Sequence, residues 1–148
     1  MKTGFFFGNH ICDVVFIALF SAQALKVVFS LFTERKLNFH RFLDTGSMPS
    51  SHSSSVVSLA TAIGIQEGFY STLFAISAVL AVVVMYDATG VRRAAGKQAE
   101  VLNKIVDNFK KNEGLVLIEE NLKELLGHTP LEVFGGALLG MIVAVLFT

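Results

Sequence analysis

The sequence predicts an all-α, polytopic membrane helical bundle: about four transmembrane helices, plus a polar helical segment between the third and the fourth. Three observations carry that expectation. Hydrophobic residues make up 53% of the 148 residues and charged ones 16%, and mean hydropathy is +0.61, a balance too apolar for a soluble domain. Four apolar stretches each approach the roughly 20 residues that a helix needs to cross a bilayer. The charges fall between those stretches, not along them. A chain of this length makes one domain, residues 1–148. The formal net charge is zero, so nothing global suggests nucleic acid. A single cysteine, Cys12, excludes an internal disulfide and argues against a cysteine metal cluster. Its place in an apolar run reads as a small buried or lipid-facing residue.

The N-terminal ten residues include Phe5-Phe6-Phe7, a run that suits a membrane border. Residues 11–32 are almost continuously apolar and read as the first span; without a small-residue cleavage site the stretch is not a cleaved signal. Asp13 lies near its end, within reach of water. Lys26 lies inside it, with Gln23 one turn earlier. A lysine at mid-bilayer costs about 3 kcal/mol, so it faces the protein interior or snorkels to the border.

A polar loop, 33–47, carries Arg35, Lys36 and Arg41. It leads into Gly46-Ser47-Met48-Pro49-Ser50-Ser51-His52, a small, hydroxyl-rich stretch around which the chain is organised. Pro49 suits the first position of a helix over 49–65, with Ser47 as its N-cap. The free N–H groups of such a first turn, with the positive end of the helix dipole, make an anion site in front of Ser50. His52 puts a titratable imidazole in the same turn. Serines 50, 51, 53, 54, 55 and 58 crowd the first two turns, so this helix faces a polar cavity or other helices, not lipid.

Gln66-Glu67-Gly68 makes a turn, and residues 69–86 are the third span. It ends in Asp87-Ala88-Thr89-Gly90-Val91-Arg92-Arg93, where Asp87 is placed to pair with Arg92 or Lys26. In the polar stretch 94–126, Val101, Leu102, Ile105, Val106 and Phe109 recur at helical spacing, so one face packs or lies on the membrane. Asn112-Glu113-Gly114 breaks it. Gly127 stops the helix before His128, and Pro130 opens the last span, 131–147, where Gly135, Gly136 and Gly140 permit close packing.

Lys and Arg concentrate in the first and third loops, and only Lys2 lies on the other side. By the positive-inside rule both large loops are cytoplasmic and the termini outside, in a plasma or bacterial inner membrane. His52, Arg92, Arg93 and His128 then share one membrane face. Plainer readings exist for each: Arg92-Arg93 as topogenic charge, His52 and His128 as polar helix starts, and Lys104, Lys110 and Lys111 as a solvated or headgroup face.

His128-Thr129-Pro130-Leu131-Glu132 places a carboxylate one helical turn after an imidazole. With Pro49-Ser50-Ser51-His52 and Tyr86-Asp87-Ala88-Thr89-Gly90-Val91-Arg92-Arg93, this resembles the type 2 phosphatidic acid phosphatases. It is closest to their small, divergent membrane branch, related to acid phosphatases and vanadium-dependent haloperoxidases. The resemblance runs nearly full length. It implies a metal-independent phosphatase that acts on a lipid-linked phosphate or pyrophosphate through a phosphohistidine, with no cofactor. His128 would be the nucleophile, Glu132 its orienting carboxylate, and His52 the proton donor to the leaving oxygen. Ser50, Ser51, Arg92 and Arg93 would hold the phosphate, and Lys26 or Lys36 would supply a further cation. The chain departs from the family pattern in four places: Ser51 stands for Gly, Glu132 for Asp, Leu122 at the spacing of an Arg before the nucleophile, and neither Lys26 nor Lys36 sits at the usual distance from Arg41. The expected partners are membrane lipids and the lipid-linked substrate, not nucleic acid. Two other readings stay open. One is a non-catalytic phosphate- or phospholipid-binding membrane protein. The other is a small transporter, with Lys26, Asp87 and the serine-rich helix along its path, for which a homodimer would be needed.

Overall fold

The structure, a computed structural model, describes residues 4–34, 48–113, 122 and 127–148. Among them are five α-helices and no strand: α1 (His10–Glu34), α2 (Ser51–Glu67), α3 (Thr72–Thr89), α4 (Val91–Glu113) and α5 (Pro130–Phe147). By length and composition α1, α3 and α5 can cross a membrane. The fourth expected span, α2, has 17 residues and is the least apolar of the four. It sits at the centre, packed against α1, α3 and α5.

That position resolves the serine-rich sequence of α2. Ser50, Ser51, Ser53, Ser54 and Ser58 are all buried. The Ser54 hydroxyl donates to the Ala18 carbonyl of α1 at 3.1 Å; Ser55 and Ser58 donate to carbonyls within their own helix, each at 2.9 Å. In hydrocarbon an unpaired hydroxyl is expensive, so these side chains are confined to a protein-lined, hydrogen-bonded centre. The helix begins at Ser51, not at Pro49, because the Ser50 hydroxyl accepts the Ser53 N–H and caps it. The expected cap, Ser47, lies outside the described residues.

The bundle is held by small residues. Its buried apolar positions are mostly alanine and valine, including Val14, Ala18, Ala22, Ala62 and Ala144, while Val79, Val82, Val83, Leu138, Ile142 and Val145 point outward. With lipid as solvent there is little gain from hiding large apolar side chains, and close backbone approach decides packing instead. The α2–α5 contact shows this most clearly. A Cβ on Gly136 would land on the Ser50 carbonyl oxygen, and one on Gly140 on that of Ser54.

Asp13 corrects its sequence reading. It is buried rather than in reach of water: its carboxylate accepts the backbone N–H of Phe5, of Phe6 at 3.1 Å and of Phe7 at 3.0 Å. Folding the aromatic run back over the start of α1 supplies the donors that a buried carboxylate requires. Cys12 is exposed, on the outward side of α1.

Two backbone bonds set the site. The Ser50 N–H donates to the Glu132 carbonyl at 3.0 Å, and the His128 N–H to the Ala88 carbonyl at 2.9 Å. They tie the N-termini of α2 and α5 and the C-terminus of α3 together at one end of the bundle. α4 starts there too, after Gly90, whose N–H closes α3 by donating to Tyr86 at 2.8 Å. Three helix N-termini, each with its partial positive charge, therefore converge where the sequence places its imidazoles and arginines.

Candidate active site

Gly127 prepares the position of His128. Its φ is +97°, a left-handed conformation that favours glycine, and a Cβ there would strike the backbone of Arg92 and Arg93. Gly127→Ala is therefore expected to push the 127–128 segment off the start of α4 and to lower thermal stability by about 2 kcal/mol or more. A thermal melt in detergent, read beside phosphate or vanadate binding, checks this.

Thr129 caps α5 in a reciprocal box: its hydroxyl accepts the Glu132 N–H at 3.3 Å, and Glu132 Oε2 accepts the Thr129 N–H at 2.9 Å. The same Oε2 lies 3.1 Å from His128 Nδ1. An ionised carboxylate only accepts, so Nδ1 carries the proton and Nε2 keeps its lone pair. His128 is 3% exposed, and Nε2 has no hydrogen-bond partner among the described residues. Burial pushes the imidazole below its ordinary titration range, and the Glu132 carboxylate pulls it partly back. The result is an oriented, neutral imidazole with one unsatisfied nitrogen.

His52, in the first turn of α2, faces it with ring centroids 6.4 Å apart. The two rings, with Val84, Asp87, Ala88, Arg92 and Gly127, line a pocket of about 80 Å³. That is several times the roughly 10–15 Å³ that one water needs. Arg92 Nε donates to Asp87 Oδ2 at 2.6 Å, and both side chains are partly exposed at the mouth. Of the two partners expected for Asp87, this is Arg92. Lys26 is 2% exposed within α1, and its charge and that of Arg92 act on both imidazoles. A small cavity with two imidazoles and nearby cations suits a compact anion.

The fold thus gathers His52, His128, Glu132, Asp87 and Arg92, with Lys26 in electrostatic reach. Ser50, Ser51 and Arg93 do not line the pocket. The Ser50 hydroxyl is taken up by the helix cap and by the Ser53 hydroxyl at 3.0 Å; Ser51 is buried; Arg93 is exposed, with its backbone against Gly127. Lys36 lies outside the described residues. Leu122, at the spacing of the family's arginine, is held elsewhere: its backbone N–H and C=O pair with the Asn103 side chain of α4 at 2.9 and 2.8 Å. Val84, Ala88 and Gly127 complete the walls, a role that sequence reasoning missed. Gly127 could have been found as a glycine directly before a candidate nucleophile, whereas the Ala88 carbonyl leaves no trace in the sequence. Among the described residues no three His, Cys, Asp or Glu side chains group as metal ligands.

The model of the divergent PAP2 family matches residues 7–143. An uncharacterized membrane protein of Bacillus subtilis (strain 168), YuiD, is 45% identical over 135 residues, covering 85% of this chain and 85% of the relative. No solved structure matches.

Proposed function

We propose that this chain, which belongs to the divergent PAP2 family, hydrolyses a phosphate ester or diphosphate carried by a membrane lipid, with His128 as nucleophile. The observation that carries this reading is the Glu132–His128 pair, which leaves a buried Nε2 without a partner among the residues of an anion-sized pocket.

In this reading the phosphoryl group enters between the two rings. His128 Nε2 attacks phosphorus, the bond from phosphorus to the lipid oxygen breaks, and a proton from His52 Nδ1 or Nε2 goes to the departing oxygen. The bound anion favours the protonated form of His52 before that step. Water then attacks the phosphohistidine, His52 takes the water proton, and phosphate leaves with His128 neutral again. Arg92, Lys26 and the helix N-termini stabilise the charge on the phosphoryl oxygens. Asp87 holds Arg92 at the mouth through Nε, and the two terminal nitrogens of the guanidinium are not part of that bond. The first turn of α2 contributes through its helix dipole, and Arg93 adds positive charge at the same border. A headgroup phosphate reaches a pocket at the end of a span directly from the bilayer. The positively charged loops favour the cytoplasmic side for that face. Reporter fusions at Lys110 and at the C-terminus check this, with opposite signals expected from the two.

The direct test is phosphate release by purified protein in liposomes. The panel is phosphatidic acid, phosphatidylglycerol phosphate and a polyprenyl diphosphate, in chelator, with vanadate as inhibitor. Turnover on one of them, an acid-labile and base-stable phosphoenzyme, and loss of both in His128→Ala are expected. Vanadate binding with no turnover on any lipid would instead favour a phosphate-binding role for the same pocket.

The pH profile follows from the burial of His128. Its pKa is lowered, so the neutral nucleophile persists to lower pH than an exposed histidine, and the acid limb that reports its protonation lies below about 6.5. Glu132 raises that pKa. Glu132→Gln is therefore expected to move the limb further down and to lower turnover on the order of 10²-fold through loss of orientation. Rate profiles of the two proteins between about pH 4 and 8, a window around the ordinary histidine value, measure both effects.

A further inference from the structure

α4 carries an apolar stripe that is exposed among the described residues. Val91, Val101, Leu102 and Ile105 are 65%, 56%, 49% and 44% exposed. At about 100° per residue they fall within one arc of the helix. Gly96, Ala99 and Asn103, on a different arc, are the buried positions. Among the described helices α4 packs only against α3. A shallow groove of about 420 Å³ runs along the stripe, lined by Lys97, Gln98, Val101 and Leu102.

The charges beside the stripe select its occupant. On the wheel Arg93, Lys97 and Lys104 follow directly on the Val101 edge, while Glu100 and Asp107 lie beyond them, further from the apolar arc. Over 91–113 the sequence has six basic residues against three acidic ones, a net +3. Two such helices face to face would repel, which disfavours a second copy of the chain on this surface. The stripe also continues an apolar surface already present. Val79, Val82, Val83 and Tyr86 are exposed along α3, and Val91 follows one turn after Tyr86. A helix with an apolar stripe, a basic flank and a spanning helix at its start has the composition of one that lies in the membrane border.

We propose that α4 is seated on the anionic lipid surface of the bilayer that holds the bundle. Its stripe is sunk among the upper acyl carbons, and Lys97 and Lys104 lie over the headgroup phosphates. The same seating brings anionic headgroups to Arg92, one residue into the helix and in the pocket wall. The inference stands apart from the hydrolase reading: it needs no chemistry at His128, and its test reads none.

The test uses full-length protein, with Cys12→Ser as background and bimane attached at Val101→Cys, Leu102→Cys, Glu100→Cys or Val79→Cys. Vesicles are phosphatidylcholine with or without phosphatidylglycerol, probed with an acyl-chain quencher and with acrylamide in the water. In anionic vesicles the labels at 101 and 102 should be quenched from the lipid several-fold more than the one at 100, and be shielded from acrylamide. That difference should shrink in phosphatidylcholine alone at raised salt, and in Lys97→Glu/Lys104→Glu. The label at 79 should stay lipid-quenched throughout, which reports an inserted bundle in every variant. Equal acrylamide access at 100, 101 and 102 would overturn the proposal. So would lipid quenching indifferent to lipid charge and to both lysine substitutions, or shielding that disappears when protein is diluted in the vesicles, since that would be a second copy.

Discussion

If His128 is the nucleophile proposed above, His128→Ala is expected to lower lipid phosphate release by at least about 10⁴-fold, the scale seen when a covalent nucleophile is lost, and to leave no phosphoenzyme. The bundle survives this change. The contact that positions residue 128 is its backbone N–H on the Ala88 carbonyl, and the Thr129–Glu132 capping box does not use the imidazole. The thermal transition should therefore move little, and vanadate should still bind to Arg92 and the helix N-termini, though more weakly. His52→Ala gives a different signature. It slows phosphoenzyme formation from a lipid alkoxide leaving group by about 10²- to 10⁴-fold, the range for a lost general acid, but spares a substrate whose leaving group needs no proton, such as a nitrophenyl phosphate. If His128→Ala turned over at the wild-type rate, the nucleophile would lie elsewhere. If His52→Ala slowed phosphoenzyme formation from both substrates alike, His52 would bind phosphate rather than donate a proton.

Gly136→Ala and Gly140→Ala are each expected to destabilise the bundle by about 3 kcal/mol, at the upper end of overpacking costs. Each added methyl would occupy the space of a carbonyl oxygen, of Ser50 or of Ser54, on the central helix. Backbone cannot swing aside as a flexible side chain does, so α2 and α5 must separate. Separation at Gly136 also strains the bond from the Ser50 N–H to the Glu132 carbonyl, which sets His52 relative to His128. Gly136→Ala should therefore weaken vanadate binding as well as stability, whereas Gly140→Ala, one turn further from the site, should act mainly on stability. Gly135→Ala is the control. Its added methyl meets only the end of the Met48 side chain, at 3.2 Å, and a methionine can rotate away, so the cost should stay below about 1 kcal/mol. Denaturant or thermal titrations in one detergent rank the three. Equal stability of Gly135→Ala and Gly136→Ala would contradict the close α2–α5 packing.

Much of this protein is legible in its sequence, and for identifiable reasons. Hydrocarbon demands helices, and apolar stretches of bilayer length state where they are; α1 and α5 follow the expected segments closely at both ends, while α3 (Thr72–Thr89) lies later than the expected 69–86 at both. The serines of 50–58 announce a helix that cannot face lipid, and α2 is the central one. Pairing of His128 with Glu132 was readable from a spacing of four, but His128 lies before α5, and the Thr129–Glu132 cap, not helical periodicity, turns the carboxylate back to the imidazole. Local capping was read only in part: the Thr129–Glu132 box was not read, and the start of α2 moved from Pro49 to Ser51 because the Ser50 hydroxyl makes the cap.

What depends on distance in space was not readable. That His52 stands 6.4 Å from a ring 76 positions later, and that Arg92 but not Arg93 joins them, follows from the carbonyls of Ala88 and Glu132, which every sequence possesses and none advertises. Asp13 looked like a residue in reach of water and became the acceptor for a folded-back aromatic run. The sequence by itself determined the solvent, the helices and the chemical inventory, since these depend on hydropathy and on neighbours along the chain. The tertiary structure decided which members of that inventory meet, because a few backbone hydrogen bonds and two glycines hold helix ends in register at a distance no local rule reaches.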